Sequence, residues 1–233
     1  MARTKPMLIG HRGAPRERPE NTLPSFLRAL ELQADGIELD VHCTIDRVVV
    51  VHHDEIPRAT PPSGRLAGKR IDALTFDELQ GFSVRGLALI STLAEALAVI
   101  KGRAEVFIEL KGADIEREVI EVVRTSLTPE RCAVHSFDHA QVARARALAP
   151  EIRGGILFDR PVPEPVSAMR ASDAFDVWPS REHVSETLVR EVHDAGGRVI
   201  AWTVNDATQA VALAAMGVDG LCTDFLPVLR AAL

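Results

Sequence analysis

Eight short apolar runs alternate with segments of helical spacing along this chain, and this alternation limits the possible folds more than any other feature. Strictly alternating strands and helices predict a parallel sheet, and eight such units close most simply into a (β/α)8, or TIM, barrel. A doubly wound open sheet is the alternative. The predicted strands span residues 7–10, 36–42, 104–111, 132–137, 153–158, 175–178, 198–204 and 218–223.

The segments between these strands begin with residues that commonly cap helices. Asn21 or Thr22 precedes the first helical pattern, and Thr92 and Glu95 have the spacing of a capping box. Four later helices are expected to be capped by Asp114, Asp138, Ser185 and Asp206. These caps fall between predicted strands, as the alternation requires.

The composition is that of an ordinary globular chain, and we expect one domain over residues 1–233. A formal net charge of −6 predicts no general attraction for nucleic acid or anionic membranes. No segment reaches the roughly 18 apolar residues of a membrane span, and the N-terminus lacks the apolar part of a signal peptide. Cys43, Cys132 and Cys222 are widely spaced, which indicates reduced thiols and a cytoplasmic protein.

One connection is much longer than the others. After the second strand the chain has a predicted hairpin extension and then residues 54–90, which are rich in proline and glycine. Thr75 and Glu78 predict a capped short helix within this segment. Long loops in compact domains are usually functional or disordered. We therefore expect residues 54–90 to form a small insertion at the C-terminal face of the barrel.

Charged residues concentrate near the ends of the predicted strands. Glu38 and Asp40 are two residues apart on one strand and share a face, and Glu109 and Lys111 repeat this spacing on the next barrel strand. Catalytic groups of TIM barrels come from the C-terminal ends of several strands. Converging carboxylates repel each other without a cation, and oxygen ligands favour a hard ion such as Mg²⁺ or Ca²⁺. Internal salt bridges to Lys111 are the alternative.

The first predicted strand is followed by His11, Arg12 and Gly13. A guanidinium offers a planar fork for phosphate oxygens, and an imidazole can transfer protons near neutral pH. Glycine allows a sharp turn beside these two groups. His52 and His53 are adjacent, so strand alternation allows only one of them to face the barrel interior.

The remaining candidates give weaker signals. His42 shares the predicted face of Glu38 and Asp40 and is a secondary candidate. Trp202, near the end of the seventh strand, fits either core packing or stacking on a ligand. We interpret four other histidines as surface or structural residues: His135, His139, His183 and His193.

Short motifs follow one another along nearly the whole chain. They are Gly10-His11-Arg12-Gly13, Pro19-Glu20-Asn21-Thr22, Asp35-Gly36-Ile37-Glu38-Leu39-Asp40-Val41, His53-Asp54, Ile108-Glu109-Leu110-Lys111, Ser136-Phe137, Ala201-Trp202-Thr203-Val204-Asn205, Gly217-Val218-Asp219-Gly220 and Thr223-Asp224. No single motif is specific, but the ordered set is, and it resembles that of the glycerophosphodiester phosphodiesterases.

The resemblance implies a metal-dependent phosphodiesterase site on a barrel. By correspondence of motifs, the divalent cation would be bound by Glu38, Asp40 and Glu109. This ion would be Mg²⁺ or Ca²⁺, with Mn²⁺ as a further option. His11 and His53 would form the acid–base pair.

The same correspondence gives roles to the residues around this centre. Arg12 and Lys111 would hold the substrate phosphate, and Glu20 and Trp202 would support the site. The insertion would shape the path of the substrate. The family motif is also the reason to prefer His53 over its neighbour.

The reaction that the resemblance implies is hydrolysis of a glycerophosphodiester to glycerol 3-phosphate and an alcohol, within glycerol and lipid metabolism. The partner would be this small-molecule substrate, and the oligomeric state is left open. The glycerol hydroxyl next to the ester could attack phosphorus within the same molecule, and proximity favours this route over direct attack by water.

Two other functions stay open. A lysophospholipase D-type activity would need an apolar groove in the insertion, although its apolar residues should largely pack on its own helix: Leu66, Leu74, Phe76, Leu79 and Phe82. The insertion is also basic, which favours polar or anionic head groups, through Arg58, Arg65, Lys69 and Arg70. A barrel that binds phosphorylated ligands without turnover is the second alternative, and the complete set of catalytic positions counts against it.

Overall fold

The computed structural model describes residues 5–57, 64–126, 129–161 and 163–233. The strands in these ranges are β1 (Met7–Gly10), β2 (Gly36–Cys43), β3 (Val49–Val51), β4 (Ser83–Val84), β5 (Ala88–Leu89), β6 (Glu105–Leu110), β7 (Cys132–Ser136), β8 (Arg153–Phe158), β9 (Asp176–Pro179), β10 (Arg198–Ala201) and β11 (Gly220–Thr223). The α-helices are α1 (Leu23–Glu31), α2 (Phe76–Leu79), α3 (Leu93–Ile100), α4 (Glu116–Thr125), α5 (His139–Leu148), α6 (Pro165–Ala171), α7 (Glu186–Asp194), α8 (Ala207–Ala215) and α9 (Leu226–Ala232).

Eight of these strands form a closed parallel barrel. The hydrogen-bonded order is β1, β11, β10, β9, β8, β7, β6 and β2, and β2 also pairs with β1. At the closure, Ile9 lies opposite Cys222 of β11 on one side and Gly36 of β2 on the other. Each predicted barrel strand coincides with one of these eight. The TIM barrel is thus confirmed, and the open sheet is excluded.

An apolar layer fills the barrel interior. The residues two positions after several of its members form the next layer towards the C-terminal end of the barrel. The members of the apolar layer are Met7, Ile9, Phe107, Ala133, Leu157, Trp178, Ile200 and Cys222. Side chains alternate along a strand, so a residue two positions further on lies on the same face. Two positions beyond five members of this layer come His11, Glu109, His135, Trp202 and Asp224. The C-terminal end of the barrel therefore carries a polar layer.

Most helices begin where their caps predict. At the start of α1, the Thr22 side chain accepts a hydrogen bond from the Ser25 N–H, and complete capping boxes start α2 and α3. The capping side chains of α5, α7 and α8 are Asp138, Ser185 and Asp206. In the part of the chain that the structure describes, no helix is both long and apolar enough to cross a membrane.

The predicted cap at Asp114 is wrong. Helix α4 begins only at Glu116, after Ile115, and makes no side-chain capping hydrogen bond. Asp114 has a left-handed φ of 52°, and its carbonyl oxygen accepts a hydrogen bond from Arg47. Asp114 therefore belongs to the turn before the helix, because its left-handed backbone differs from the extended backbone of a capping residue.

The insertion packs on the hairpin that precedes it. Strand β3 pairs antiparallel with β2, so that Val51 lies opposite Val41. The residues that follow form short helical turns, α2 and the β4–β5 hairpin, while residues 58–63, including Arg58, lie outside the described residues. The segment has its own apolar cluster, which consists of Val50, Leu66, Ile71, Leu74, Leu79, Phe82, Val84 and Ile90.

Candidate active site

A tight turn after β1 holds His11 and Arg12 at the mouth of the barrel. The Gly13 N–H donates a hydrogen bond to the Gly10 carbonyl oxygen at 3.2 Å, and Gly13 has a φ of 91°. A Cβ on Gly13 would lie 2.5 Å from the Ser25 Oγ, and a Cβ on Gly10 would lie 2.3 Å from the Gly13 carbonyl oxygen. Both glycines are therefore required by the geometry of this turn.

Three buried carboxylates form the centre of the site. Glu38, Asp40 and Glu109 are 3%, 0% and 8% exposed, and Asp40 lies opposite Glu109 between β2 and β6. Burial and repulsion from Asp40 raise the pKa of Glu38 well above its usual range and that of Glu109 to about 7. Burial also acts to raise the pKa of Asp40, but the Arg12 charge and other contacts lower it overall. The cluster therefore resists full ionisation unless a cation neutralises it.

Arg12 is held by these carboxylates and by Glu20. Its Nε lies 3.2 Å from the Asp40 Oδ2, its Nη1 donates to the Glu20 Oε1 at 2.9 Å, and its backbone N–H donates to the Glu38 Oε2 at 3.0 Å. Asn21 completes this network, since its Nδ2 donates to the Asp40 Oδ2 at 2.8 Å. Sequence reasoning treated Asn21 only as a helix cap and part of a motif. The contact of Arg12 with phosphate stays a prediction.

Two histidines are each fixed by a carboxylate. The Nδ1 atoms of His11 and His53 lie 2.7 Å from Asp224 and Asp54, respectively. Because an ionised carboxylate only accepts hydrogen bonds, each Nδ1 carries a proton, and each Nε2 is left to exchange a proton with a ligand. Asn205 in turn donates to Asp224 at 2.8 Å. This arrangement suits proton transfer at both Nε2 atoms.

Lys111 connects the carboxylates with one of these histidines. Its Nζ lies 3.2 Å from the Glu109 Oε1 and 3.3 Å from the His53 Nε2. The salt bridge considered as an alternative to a metal site is therefore present, but it involves one of the three carboxylates. Burial lowers the pKa of His53, although Asp40 acts in the opposite direction. The His53 ring is thus neutral at neutral pH.

The adjacent histidines occupy different positions. His53 lines the central cavity, whereas burial lowers the pKa of His52 to about 4 and keeps its ring uncharged. His42 lies behind the site, where its Nε2 is 3.0 Å from the His53 carbonyl oxygen. It positions the backbone of His53 and does not line the central cavity.

The central cavity has a polar side and an apolar side. Its volume is about 160 Å³, and its apolar lining includes Phe137, Leu157, Trp178 and Trp202. Trp202 meets Phe137 edge to face with ring centroids 5.4 Å apart, and its Nε1 donates to the Trp178 carbonyl oxygen at 3.0 Å. Trp202 therefore packs and lines the cavity at once, so its two interpretations are compatible.

His135 is a cavity residue that sequence reasoning missed. Its side chain is buried in the barrel and lines the cavity, with its Nε2 3.9 Å from the Glu38 Oε1. Burial lowers the pKa of His135 to about 3, so the imidazole is neutral. Strand parity could have found it, because His135 follows Ala133 as Glu109 follows Phe107.

The donor atoms of the site fit a divalent cation. One ligand atom each from Glu38, Glu109 and His135 lies within 4.8 Å of the others. Among the described residues, the Asp40 Oδ1 and both ring nitrogens of His135 are buried without a hydrogen-bond partner. Leaving a buried polar atom unpaired costs about 1–3 kcal/mol. A cation among these three residues would give the His135 ring a partner, and Asp40 is not one of the three.

Comparison with known proteins assigns the barrel to a family. Residues 11–228 match the glycerophosphoryl diester phosphodiesterase family. A glycerophosphodiester phosphodiesterase of Caldanaerobacter subterraneus subsp. tengcongensis is 32% identical, and the match covers 94% of each chain. A putative glycerophosphodiester phosphodiesterase of Bacillus subtilis is 34% identical, again over 94% of each chain.

Solved structures agree with this assignment. A putative glycerophosphoryl diester phosphodiesterase from Silicibacter pomeroyi superposes with a TM-score of 0.88 at 27% identity, covering 98% of this chain and 93% of that one. An Oleispira antarctica phosphodiesterase in complex with the product sn-glycerol-3-phosphate gives 0.87 at 27% identity, covering 98% and 96%. The chain is therefore an enzyme that belongs to the glycerophosphodiester phosphodiesterase family.

Proposed function

We propose that this enzyme hydrolyses soluble glycerophosphodiesters to glycerol 3-phosphate and an alcohol, with a divalent cation bound by Glu38, Asp40 and Glu109. The observation that supports this best is the presence, around one cavity, of two histidine–carboxylate pairs and a buried carboxylate cluster. The product complex of the Oleispira antarctica protein supports the substrate class.

The cation site would supply charge neutralisation. When bound, Mg²⁺, Ca²⁺ or Mn²⁺ would neutralise phosphoryl oxygens and so lower the barrier to attack at phosphorus. Arg12 and Lys111 both line the cavity, and their N–H groups can donate to phosphate oxygens there. Glu20 would keep the Arg12 guanidinium in place through its hydrogen bond.

The histidines would transfer the protons. His53 is neutral at neutral pH and would accept a proton from the glycerol 2-hydroxyl, whose oxygen then attacks phosphorus. His11 would donate a proton to the departing alcohol as the phosphorus–oxygen bond to that alcohol breaks. A cyclic phosphate results, and water opens it with the two histidines in reversed roles.

The insertion, residues 54–90, would shape the position of the alcohol group. Glu55, Arg70 and Asp72 of the insertion line a second cavity of about 380 Å³, together with Lys111 of the catalytic centre. Arg70 forms ion pairs with Glu55 and Asp72 there. We expect Arg70→Gln to change the ratio of kcat/KM between glycerophosphocholine and glycerophosphoglycerol; an unchanged ratio would remove this role from Arg70.

The packing of the insertion favours soluble diesters over lysophospholipids. Leu66, Leu74, Leu79 and Phe82 are buried in the cluster on the hairpin. These side chains therefore do not supply an apolar groove for an acyl chain.

The proposal is tested with purified enzyme and glycerophosphocholine, with and without EDTA. We expect choline and glycerol 3-phosphate as products, loss of activity with EDTA, and recovery with Mg²⁺, Ca²⁺ or Mn²⁺. Glu38→Gln should weaken metal binding and keep the melting temperature of the metal-free protein close to that of the wild type. Substrate that binds and stays intact would identify a binding protein, and full activity after chelation would exclude the metal.

A further inference from the structure

His135 occupies a position that packing alone does not explain. Its ring meets the Trp178 ring edge to face with centroids 4.5 Å apart, and the His135 Cβ and the Trp178 ring both lie against the space left by Gly155. A Cβ on Gly155 would lie 3.1 Å from the His135 Cβ and from the Trp178 Nε1. An apolar ring would fill this space equally well, yet the chain has an imidazole there.

The ring nitrogens of His135 have no hydrogen-bond partner among the described residues. Burying an unpaired polar atom is unfavourable, so an unpaired imidazole beside a cavity indicates a ligand that supplies the missing partner. The Glu38 Oε1 lies 3.9 Å from the His135 Nε2, which is too far for a hydrogen bond.

The same separation suits two atoms that share one cation. Metal–nitrogen and metal–oxygen distances are about 2.0–2.6 Å, so two ligands of one ion lie up to roughly 4.0–5.2 Å apart, depending on the ion. Glu109 completes the group, since one ligand atom from each of the three residues lies within 4.8 Å of the others. The three residues come from β2, β6 and β7, which are adjacent in the barrel.

We propose that the His135 Nε2 is a ligand of the active-site cation and that it shifts the metal preference of this enzyme from Ca²⁺ towards Mn²⁺ and Co²⁺. This inference rests on the metal dependence proposed above and adds a ligand to it. Carboxylate-only sites suit hard ions such as Mg²⁺ and Ca²⁺, whereas imidazole favours first-row transition ions.

The first test detects the nitrogen directly. Mn²⁺ bound to the wild-type enzyme without substrate should show ¹⁴N coupling in electron spin-echo spectra. The coupling should vanish in His135→Phe, which keeps a ring beside Trp178, and should persist in His11→Asn and His53→Asn. His193→Asn is the matched control, because His193 pairs with Asp219 at the opposite end of the barrel. Absence of ¹⁴N coupling in the wild type would overturn the proposal without any variant.

The second test measures affinity by calorimetry on metal-free protein. The ratio of Mn²⁺ to Ca²⁺ affinity should fall by about tenfold or more in His135→Phe, and His135→Gln serves if the first variant does not fold. An unchanged ratio overturns the role of His135 and leaves metal-dependent hydrolysis intact. A wild-type enzyme that binds no divalent ion and stays active in EDTA would instead overturn the proposed function as well.

Discussion

The two histidine–carboxylate pairs are alike at Nδ1 and differ in almost everything around them. His11 and Asp224 follow adjacent barrel strands, and Asp224 is fixed by Asn205 through its side chain and its backbone N–H. His53 and Asp54 are neighbours in sequence at the start of the insertion. The first carboxylate therefore reaches its histidine from a neighbouring barrel strand, whereas the second follows its histidine directly in the chain.

The surroundings of Nε2 differ as well. The His53 Nε2 faces the Lys111 ammonium at 3.3 Å. Burial lowers the pKa of His53, and the charges of Arg12 and Lys111 act in the same direction. An identical hydrogen bond at Nδ1 therefore does not assign a role, because nearby charges decide which ring accepts the first proton. This difference supports the proposed roles of His53 as base and His11 as acid.

The largest effect should come from removing the hydroxyl that His53 is proposed to deprotonate. A substrate analogue without the glycerol 2-hydroxyl should bind with similar affinity but react at least about 10⁴-fold more slowly. The reason is that intramolecular attack has effective molarities of about 10⁵–10⁸ M. Single-turnover rates and calorimetric affinities of both compounds measure this. Rapid hydrolysis of the analogue would mean that water attacks phosphorus directly and that the histidine base activates water and not the glycerol hydroxyl.

Replacing each histidine should slow the reaction and change a different limb of the pH profile. His11→Asn and His53→Asn should each lower kcat by about 10²–10⁴-fold. A base must be deprotonated and an acid protonated, so His53→Asn should lose the acidic limb of the bell-shaped kcat/KM profile and His11→Asn the alkaline limb. His193→Asn should leave the profile unchanged. Exchanged limbs would reverse the assignment.

Replacing the carboxylate of each pair should lower kcat to a different extent. Asp224→Asn should lower kcat by about 100-fold and Asp54→Asn by about tenfold, because Lys111 still orients the His53 ring from its other nitrogen. Asp206→Asn, at a helix cap where asparagine serves equally well, is the control. Equal losses in the two variants would show that Lys111 does not orient His53.

Sequence reasoning predicted the barrel and its central residues because these depend on local patterns. Alternation along a strand places Glu38 and Asp40 on one face. The turn that holds His11 and Arg12 needs glycine at both of its ends, because other atoms come close to the backbone there. The role of Asp224 could not be predicted from spacing, because 213 positions separate it from His11. His135 was missed for a related reason, since its neighbours come from other strands.

The smallest effect concerns how the protonation of Glu109 and of His53 changes the stability of the metal-free protein with pH. The pKa of Glu109 is raised to about 7 in the folded state, so its stability contribution is complete below its unfolded value near 4.5 and is lost as pH rises through 7. This loss amounts to at most about 3 kcal/mol. His53 acts in the opposite direction, because its lowered pKa makes its contribution disappear as pH falls.

Comparing wild type with Glu109→Gln in EDTA isolates the carboxylate from the histidines. In urea unfolding at pH 5 and pH 8, the wild type should lose more free energy of unfolding between the two pH values than the variant does. Glu95→Gln is the control, because glutamine also completes a capping box. Equal pH dependence in wild type and Glu109→Gln would mean that Lys111 already compensates the Glu109 charge, so that this one ammonium keeps Glu109 ionised as well as His53 neutral.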